Sequence, residues 1–302
     1  MAKTGIITKR IKGFYYLLTD EGETIECKAK GLLFKNSRFD NQIAVGDRVS
    51  FLFSEKDDVG LITGIENRRS FLSRNRVGIE VEQVIAANVD NLLIVASTQK
   101  PPFRTNLINR LLVAAKAGNV KPTIVITKTD LSSPKEIEAL IDPYKDIQCD
   151  IIFSTTKSAE NDQRLLDIFH DSVSVLTGQS GVGKSSLLNK LFPNLNIKVG
   201  AVSDKTSKGS HTTTFAAMHK IAENSYIIDT PGIREFGLWN LDNKNLAQFY
   251  PIICDFSYQC KHRNCQHIQE PNCAVQEAVK NGKIHKKLYQ GYVSIHDSLK
   301  NS

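Results

Sequence analysis

Gly178-Gln179-Ser180-Gly181-Val182-Gly183-Lys184-Ser185 fits the phosphate-binding pattern G-x-x-x-x-G-K-[ST], and its flanks suit that reading. The apolar run Val173-Ser174-Val175-Leu176-Thr177 predicts a strand leading in. Ser186-Leu187-Leu188-Asn189-Lys190-Leu191 carries apolar residues at helical spacing leading out. Glycines let the backbone turn its N–H groups onto phosphate oxygens, where side chains would block the approach. The following helix points its partial positive end at the same anion. On this reading Gly178, Gln179, Ser180, Gly181, Val182, Gly183, Lys184, Ser185 and Ser186 surround the phosphates of a nucleotide. Lys184 reaches the terminal phosphates, and the Ser185 hydroxyl takes one Mg²⁺ position. The plain alternative is a glycine-rich turn before a helix; strand, loop, Lys-Ser and helix in one register argue against it.

The 302 residues are enough for two or three domains, and an apolar share of 41% with 24% charged residues is that of a globular protein. No run approaches the length of a membrane span, and Met1-Ala2-Lys3-Thr4-Gly5 lacks a signal-peptide core, so no membrane partner and a cytoplasmic location are expected. The net charge of +7 points weakly to an anionic partner. Three of the six cysteines crowd into positions 260–273 beside histidines, which in a reducing compartment favours metal over disulfide.

Residues 1–70 read as a small all-β module of the OB type. Gly5–Arg10, Phe14–Leu18, Glu23–Cys27, Val49–Phe53 and Leu61–Ile65 are short, β-branched or aromatic runs separated by turn signals. Phe14, Tyr15 and Tyr16, among Lys9, Arg10 and Lys12, are placed to stack bases, or alternate between core and surface. Residues 67–78 read as a basic connector, gripping phosphates or solvated. From about residue 84, strands alternate with helices: Asn91–Ala96, a helix face over Leu107–Ala115 ending near Gly118, Thr123–Ile126, Pro134–Ile141, Ile151–Phe153, Leu165–Phe169 and the phosphate-loop strand. This predicts a parallel α/β sheet covered on both faces.

Reading guanine takes a carboxylate that accepts from the base N1–H and 2-amino group. Thr127-Lys128-Thr129-Asp130 follows a buried strand, so Asp130 fits this task, with the Lys128 stem over the base. If Asp130 does not read guanine, an unrelated ATPase is the competing assignment. Downstream, Ser225–Ile228 is a strand ending in Asp229-Thr230-Pro231-Gly232; Asp229 would hold Mg²⁺ through water, and the Gly232 N–H would sense the γ-phosphate. Between them, Gly209–Thr214 reads as a switch loop whose Thr213 closes on Mg²⁺. Ile233 stands after Asp-x-x-Gly and can neither orient nor deprotonate water, so hydrolysis alone should be slow. His211 is the candidate for activating the water, against a merely solvated loop histidine. Asp130 precedes Gly178 by 48 positions, whereas the usual GTPase order puts the phosphate loop first. The order is permuted.

Cys260, Cys265, His267 and Cys273 offer three thiolates and an imidazole within fourteen residues, the set of a closed tetrahedral Zn²⁺ site. Four protein ligands leave no open position, so one structural zinc would staple a segment too small for its own core. His262 and Cys254 are spare ligands; Cys27 and Cys149 read as core. The tail, 275–300, reads as two short helices broken at Asn281-Gly282, with Lys283, Lys286 and Lys287 giving a basic face.

Barrel, permuted GTPase motifs and terminal Cys/His spacing together resemble the circularly permuted, ribosome small-subunit-dependent GTPases of the RsgA, or YjeQ, type, over nearly the whole chain. The resemblance implies a barrel over 1–70, a permuted GTPase domain over 71–240 and a zinc module with a helical tail over 241–302. It implies the same four zinc ligands, binding of GTP and GDP, and a partner in the small (30S) ribosomal subunit and its rRNA. On it, a monomer gripping rRNA would time its release by hydrolysing GTP; the rival reading is a nucleotide-gated rRNA-binding scaffold with negligible turnover. Two departures stand out. Thr127 replaces the commoner Asn, weakening a tie to the phosphate loop, and Ser210 precedes His211 where Arg is expected. The switch from Gly232 onward runs almost directly into the C-terminal module, so a spacer after Leu241 is expected to uncouple nucleotide state from partner binding.

Overall fold

The computed structural model describes residues 3–11, 13–29, 43–53, 59–76, 79–193, 216–229, 241 and 243–300. The first five strands are β1 (Lys3–Ile11), β2 (Phe14–Thr19), β3 (Thr24–Ala29), β4 (Arg48–Leu52) and β5 (Gly60–Ile65). Their order is β1-β2-β3-β5-β4, and β4 returns to pair with β1, closing a barrel in which only β3 and β5 run parallel. Closure follows from strict alternation. In β2, Tyr15 and Leu17 turn inward onto Ile7, Val49, Phe51 and Ile62, leaving Phe14 and Tyr16 half-buried outside. The aromatic triplet therefore divides between core and surface, with the Lys28 ammonium 4.9 Å above the Phe14 ring.

The basic connector is corrected by the structure. Its second half is β6 (Phe71–Arg76), which pairs with β7 (Ile79–Ala87) as an antiparallel ribbon. Its first two arginines are engaged by protein carboxylates: Arg68 Nε and Nη2 each donate at 2.7 Å to the fully buried Asp47 carboxylate, and Arg69 donates to Asp90; Arg74 donates to the Gln83 side-chain oxygen.

The central layer is built from β8 (Asn91–Ser97), α1 (Thr105–Ala117), β9 (Lys121–Thr127), α2 (Pro134–Ile141), β10 (Asp150–Phe153), α3 (Asp162–Phe169), β11 (Val173–Thr177), α4 (Lys184–Leu191), β12 (Ala217–Ala222) and β13 (Ser225–Asp229). The order is β10-β9-β8-β11-β13-β12, parallel except for β12. All seven residues of β8 are buried, as expected of a parallel strand covered on both faces. Local chemistry starts α2 where the sequence predicts. Ser133 and Glu136 form a reciprocal capping box ahead of Pro134 at the first helical position. Through Lys9 and Ala217, β1 of the barrel joins edge strand β12, so one sheet runs through both units.

The C-terminal part comprises α5 (Leu246–Phe249), α6 (Pro251–Ser257), α7 (Ala274–Lys280) and α8 (Lys286–Lys300). The tail is two helices broken at Asn281-Gly282, as the sequence predicts, but the second is not short: α8 runs 15 residues because one face is buried along its length. Leu246, Ile253, Tyr292 and Ile295 share one hydrophobic cluster with Ile108 and Leu112 of α1, so the core does not break at residue 240.

Candidate nucleotide site and metal centre

Nucleotide-binding loops of a parallel sheet gather where the strands end. Here β11 ends in the phosphate loop, β9 ends in Thr127-Lys128-Thr129-Asp130, and β13 ends at Asp229. Only glycine fits the first turn. Gly178 has φ +146°, and a Cβ there would lie 2.0 Å from the Val95 carbonyl oxygen. Gly181 and Gly183 also hold positive φ, at +79° and +99°. The Lys184 ammonium donates to Gly178 O at 2.7 Å and Gln179 O at 2.8 Å, spanning the loop it belongs to. Burial lowers its pKa, against the opposing pull of the Asp229 carboxylate nearby.

The structure brings the β9 loop onto the phosphate loop. The Thr127 hydroxyl donates to Val182 O at 2.5 Å, with Ala96 O a second acceptor at 3.2 Å. Lys128, in left-handed conformation, donates through Nζ to Gly181 O at 2.7 Å and to Lys100 O. Threonine at 127 therefore keeps a tie to the phosphate loop, but with one proton for two carbonyls.

Asp130 meets a stretch that sequence reasoning passed over. Its Oδ1 accepts from the Thr155 hydroxyl at 2.8 Å and its Oδ2 lies 2.8 Å from the Lys157 ammonium. These bonds, Lys157 first, hold its carboxyl below the usual range. Thr155 and Lys157 lie just past the end of β10; a polar run leaving a strand beside the β9 loop was the signal available. Gln179 is another contact not anticipated. With its amide oriented to satisfy both neighbours, its oxygen accepts from Arg104 Nε at 2.6 Å and its nitrogen donates to Pro102 O at 3.2 Å. Ser185 and Ser186 are exposed at the start of α4. His211, Thr213 and Gly232, with Ser210 and Ile233, lie outside the described residues.

At the other end of the chain, Cys260, Cys265, His267 and Cys273 bring one ligand atom each to within 4.8 Å of one another, a cluster that can hold a metal ion. His267 Nδ1 is 3.4 Å from both Cys260 Sγ and Cys273 Sγ, and those sulfurs are 3.9 Å apart. His267 is 2% exposed and sits at φ +63°. Burial pushes the Cys265 thiol up to about 12, so a cation at the centre is what would favour its thiolate. The loop has its own keystone in Glu270. Burial raises its pKa, but backbone N–H groups of Gln266, Ile268 and Gln269 outweigh that and hold it at about 2. From α8, Tyr289 and Tyr292 donate to His267 O and Gln266 O, and His296 contacts the Gln266 side chain at 2.9 Å. Cys254 stands apart, against Tyr258 at 3.7 Å; Cys27 is fully buried and Cys149 half-buried.

A barrel followed by a parallel sheet in which the β9 loop precedes the phosphate loop along the chain, yet lies beside it in space, is the arrangement of a circularly permuted GTPase. The comparisons place it further: the chain belongs to the RsgA GTPase family. The RsgA GTPase model matches residues 65–239, and the RsgA N-terminal domain model matches residues 4–62. Among relatives, a small ribosomal subunit biogenesis GTPase RsgA of Chlorobaculum parvum is 36% identical, covering 98% of each chain. The Bacteroides fragilis protein of the same name is 34% identical over 96% of this chain and 95% of its own. Among solved structures, YjeQ from Thermotoga maritima has a TM-score of 0.79 at 28% identity, with both chains fully covered. YloQ, described as a circularly permuted GTPase, has a TM-score of 0.75 at 29% identity, covering all of this chain and 96% of the other. Among the described residues no helix is long and apolar enough to cross a membrane.

Proposed function

We propose that this GTPase acts in late assembly of the small ribosomal subunit, binding its rRNA and using GTP hydrolysis to time its own release. The names carried by its full-length relatives support this. The observation that carries the nucleotide half is the pair of bonds from Thr127 and Lys128 to Val182 O and Gly181 O, which join two loops far apart in sequence.

In this reading Asp130 accepts from the guanine N1–H and 2-amino group while the Lys128 stem covers the base. Lys184 leaves the loop carbonyls for phosphate oxygens, a charge-assisted exchange. Mg²⁺, when bound, neutralises phosphate charge; Ser185 and Asp229, with Thr213, are the residues to hold it. Gly232 and His211 are assigned to γ-phosphate sensing and to activating water. The metal of the Cys/His cluster is assigned as one structural zinc. Zn–S bonds of ~2.3 Å and Zn–N bonds of ~2.0–2.1 Å give tetrahedral edges of ~3.8 Å between sulfurs and ~3.5 Å between sulfur and nitrogen. The edges among Cys260, His267 and Cys273, 3.9 and 3.4 Å, fit, and Cys265 completes the set within 4.8 Å.

GTP turnover measured with and without purified small subunits, at several salt concentrations, tests the proposal. Slow intrinsic turnover, strongly stimulated by subunits and weakened by salt, is expected. Nucleotide-dependent subunit binding without stimulated turnover would instead identify the scaffold. In the same assay His211→Ala should abolish stimulation; full stimulation would remove His211 from the mechanism.

A further inference from the structure

The carboxylate assigned to guanine is held by Thr155 and Lys157, and the strap that carries them is tied to another element. Lys190 projects from α4, the helix that begins at the phosphate-loop lysine. Its ammonium donates to Thr155 O at 2.9 Å, Ser158 O at 2.5 Å and Asp162 Oδ1 at 2.6 Å. Three donors meet three acceptors, so the ammonium is saturated. The ion pair with Asp162 is largely shielded, with side chains 19% and 22% exposed. The strap between is short and internally braced: Thr155 and Ser158 form an antiparallel bridge, the Thr155 hydroxyl also accepts from Lys157 N, and Asn161 fixes Phe153 O.

We infer that Lys190 is a positioning residue for base recognition, a clamp that registers the Asp130 carboxylate against the phosphate loop. Lys190 lies six residues beyond Lys184, ~9 Å along the axis of one rigid helix. The helix thus presents phosphate ligands at its first turn and, through Lys190, sets the strap that orients both Asp130 oxygens. Two hydrogen bonds to a planar base edge demand such registration, because a displaced carboxylate keeps its charge but loses its geometry. The inference rests on the reading that Asp130 recognises guanine.

The test is equilibrium binding of GDP and of inosine diphosphate, which lacks only the 2-amino group. Lys190→Met keeps the alkyl stem and removes the ammonium. It should weaken GDP about tenfold and inosine diphosphate about threefold or less, so their ratio contracts. Lys190→Arg, retaining a multi-donor cation, should recover most of the ratio. An equal loss for both nucleotides, or an unchanged ratio, would reduce Lys190 to a scaffold contact and overturn the inference. Should Lys190→Met not fold, Thr155→Val cuts the next link and should contract the ratio likewise; a wild-type ratio there overturns the inference equally. Asp130→Asn, assayed with xanthosine diphosphate, separates the two layers. A switch toward xanthine with no effect of Lys190→Met refutes the clamp alone, and no switch refutes base reading by Asp130 itself.

Discussion

Replacing Thr127 by valine keeps the shape of a side chain that is 6% exposed and removes one hydroxyl. That hydroxyl donates to Val182 O at 2.5 Å and has Ala96 O within 3.2 Å. A single proton serves one acceptor at a time, so the loss is one neutral hydrogen bond, about 1 kcal/mol. Stranding both carbonyls could raise this toward ~3 kcal/mol, but the unserved one already lacks the proton in the wild type. Because the bond fixes the β9 loop relative to the phosphate loop, its loss falls on preorganisation of the pocket. A weakening of GDP binding of about fivefold is expected. Asparagine at the same position offers two N–H donors, one for each carbonyl, so Thr127→Asn should bind at least as tightly as the wild type. Titration with a fluorescent GDP analogue, alongside thermal melting, measures both variants. A Thr127→Val protein that melts earlier but binds GDP like the wild type would refute the reasoning, since the tie would then hold the sheet and not the site.

Asp90 accepts from Arg69 and from Val173 N, at the start of the strand that feeds the phosphate loop. Burial raises its pKa, but Arg69 and the Val173 N–H outweigh it, so its folded value lies below the ordinary one. A depressed carboxylate contributes stability above its unfolded pKa and loses it as pH falls through the folded value. The wild type should therefore lose melting temperature more steeply than Arg69→Met as pH falls from about 5 through and below the ordinary carboxylate range, the curves converging once Asp90 is protonated in both. Parallel curves would discount the pair. Metal removal is the other test. A structural Zn²⁺ site supplies ~10–16 kcal/mol of folding free energy, comparable to the whole stability of a domain. One equivalent of zinc in the purified protein, lost with a collapse of α8 protection in hydrogen exchange on chelation or in Cys273→Ser, is expected. Unchanged protection after complete chelation would rule out a structural role.

What could be read from the sequence was what local chemistry decides. β11 and α2 fall where predicted, because an apolar run bounded by Gly178 and a Ser133–Glu136 capping box are short-range signals. What escaped depends on partners distant along the chain. Arg68 and Arg69 read as surface cations because Asp47 and Asp90, each 21 positions away, could not be placed beside them. The strap at Thr155–Ser158 and its clamp Lys190 stand 32 to 35 positions apart, and neither matches a phosphate-loop pattern. β12 was missed because a polar stretch precedes it and Met218 is its only buried side chain. The length of α8 was legible in principle: Tyr289, Tyr292 and His296 recur at helical spacing, and they are the residues that face the metal loop.

The permuted order offers two routes by which nucleotide state would reach the C-terminal module. In sequence the connection is covalent, from Gly232 through Leu241, and a spacer there would slacken it. In the fold a second connection is packed. Arg104 precedes α1 and meets Gln179 of the phosphate loop. On the body of α1, Asn109 lies against Gly291 of α8, where a Cβ would come within 1.9 Å of its amide nitrogen, and Arg110 donates to Ser298 at 3.0 Å. Tyr250 closes the joint by donating to Leu288 O at 2.8 Å. Both Asn109 amide atoms are buried without a hydrogen-bond partner where Gly291 crosses, so at that point close packing holds the helices, beside the Arg110–Ser298 bond. A spacer after Leu241 leaves this joint intact. Complete uncoupling by the spacer would mean that the covalent route alone carries the signal. Residual coupling would point to α1, because a rigid helix touching the phosphate loop at one end and the metal module along its side transmits displacement without slack.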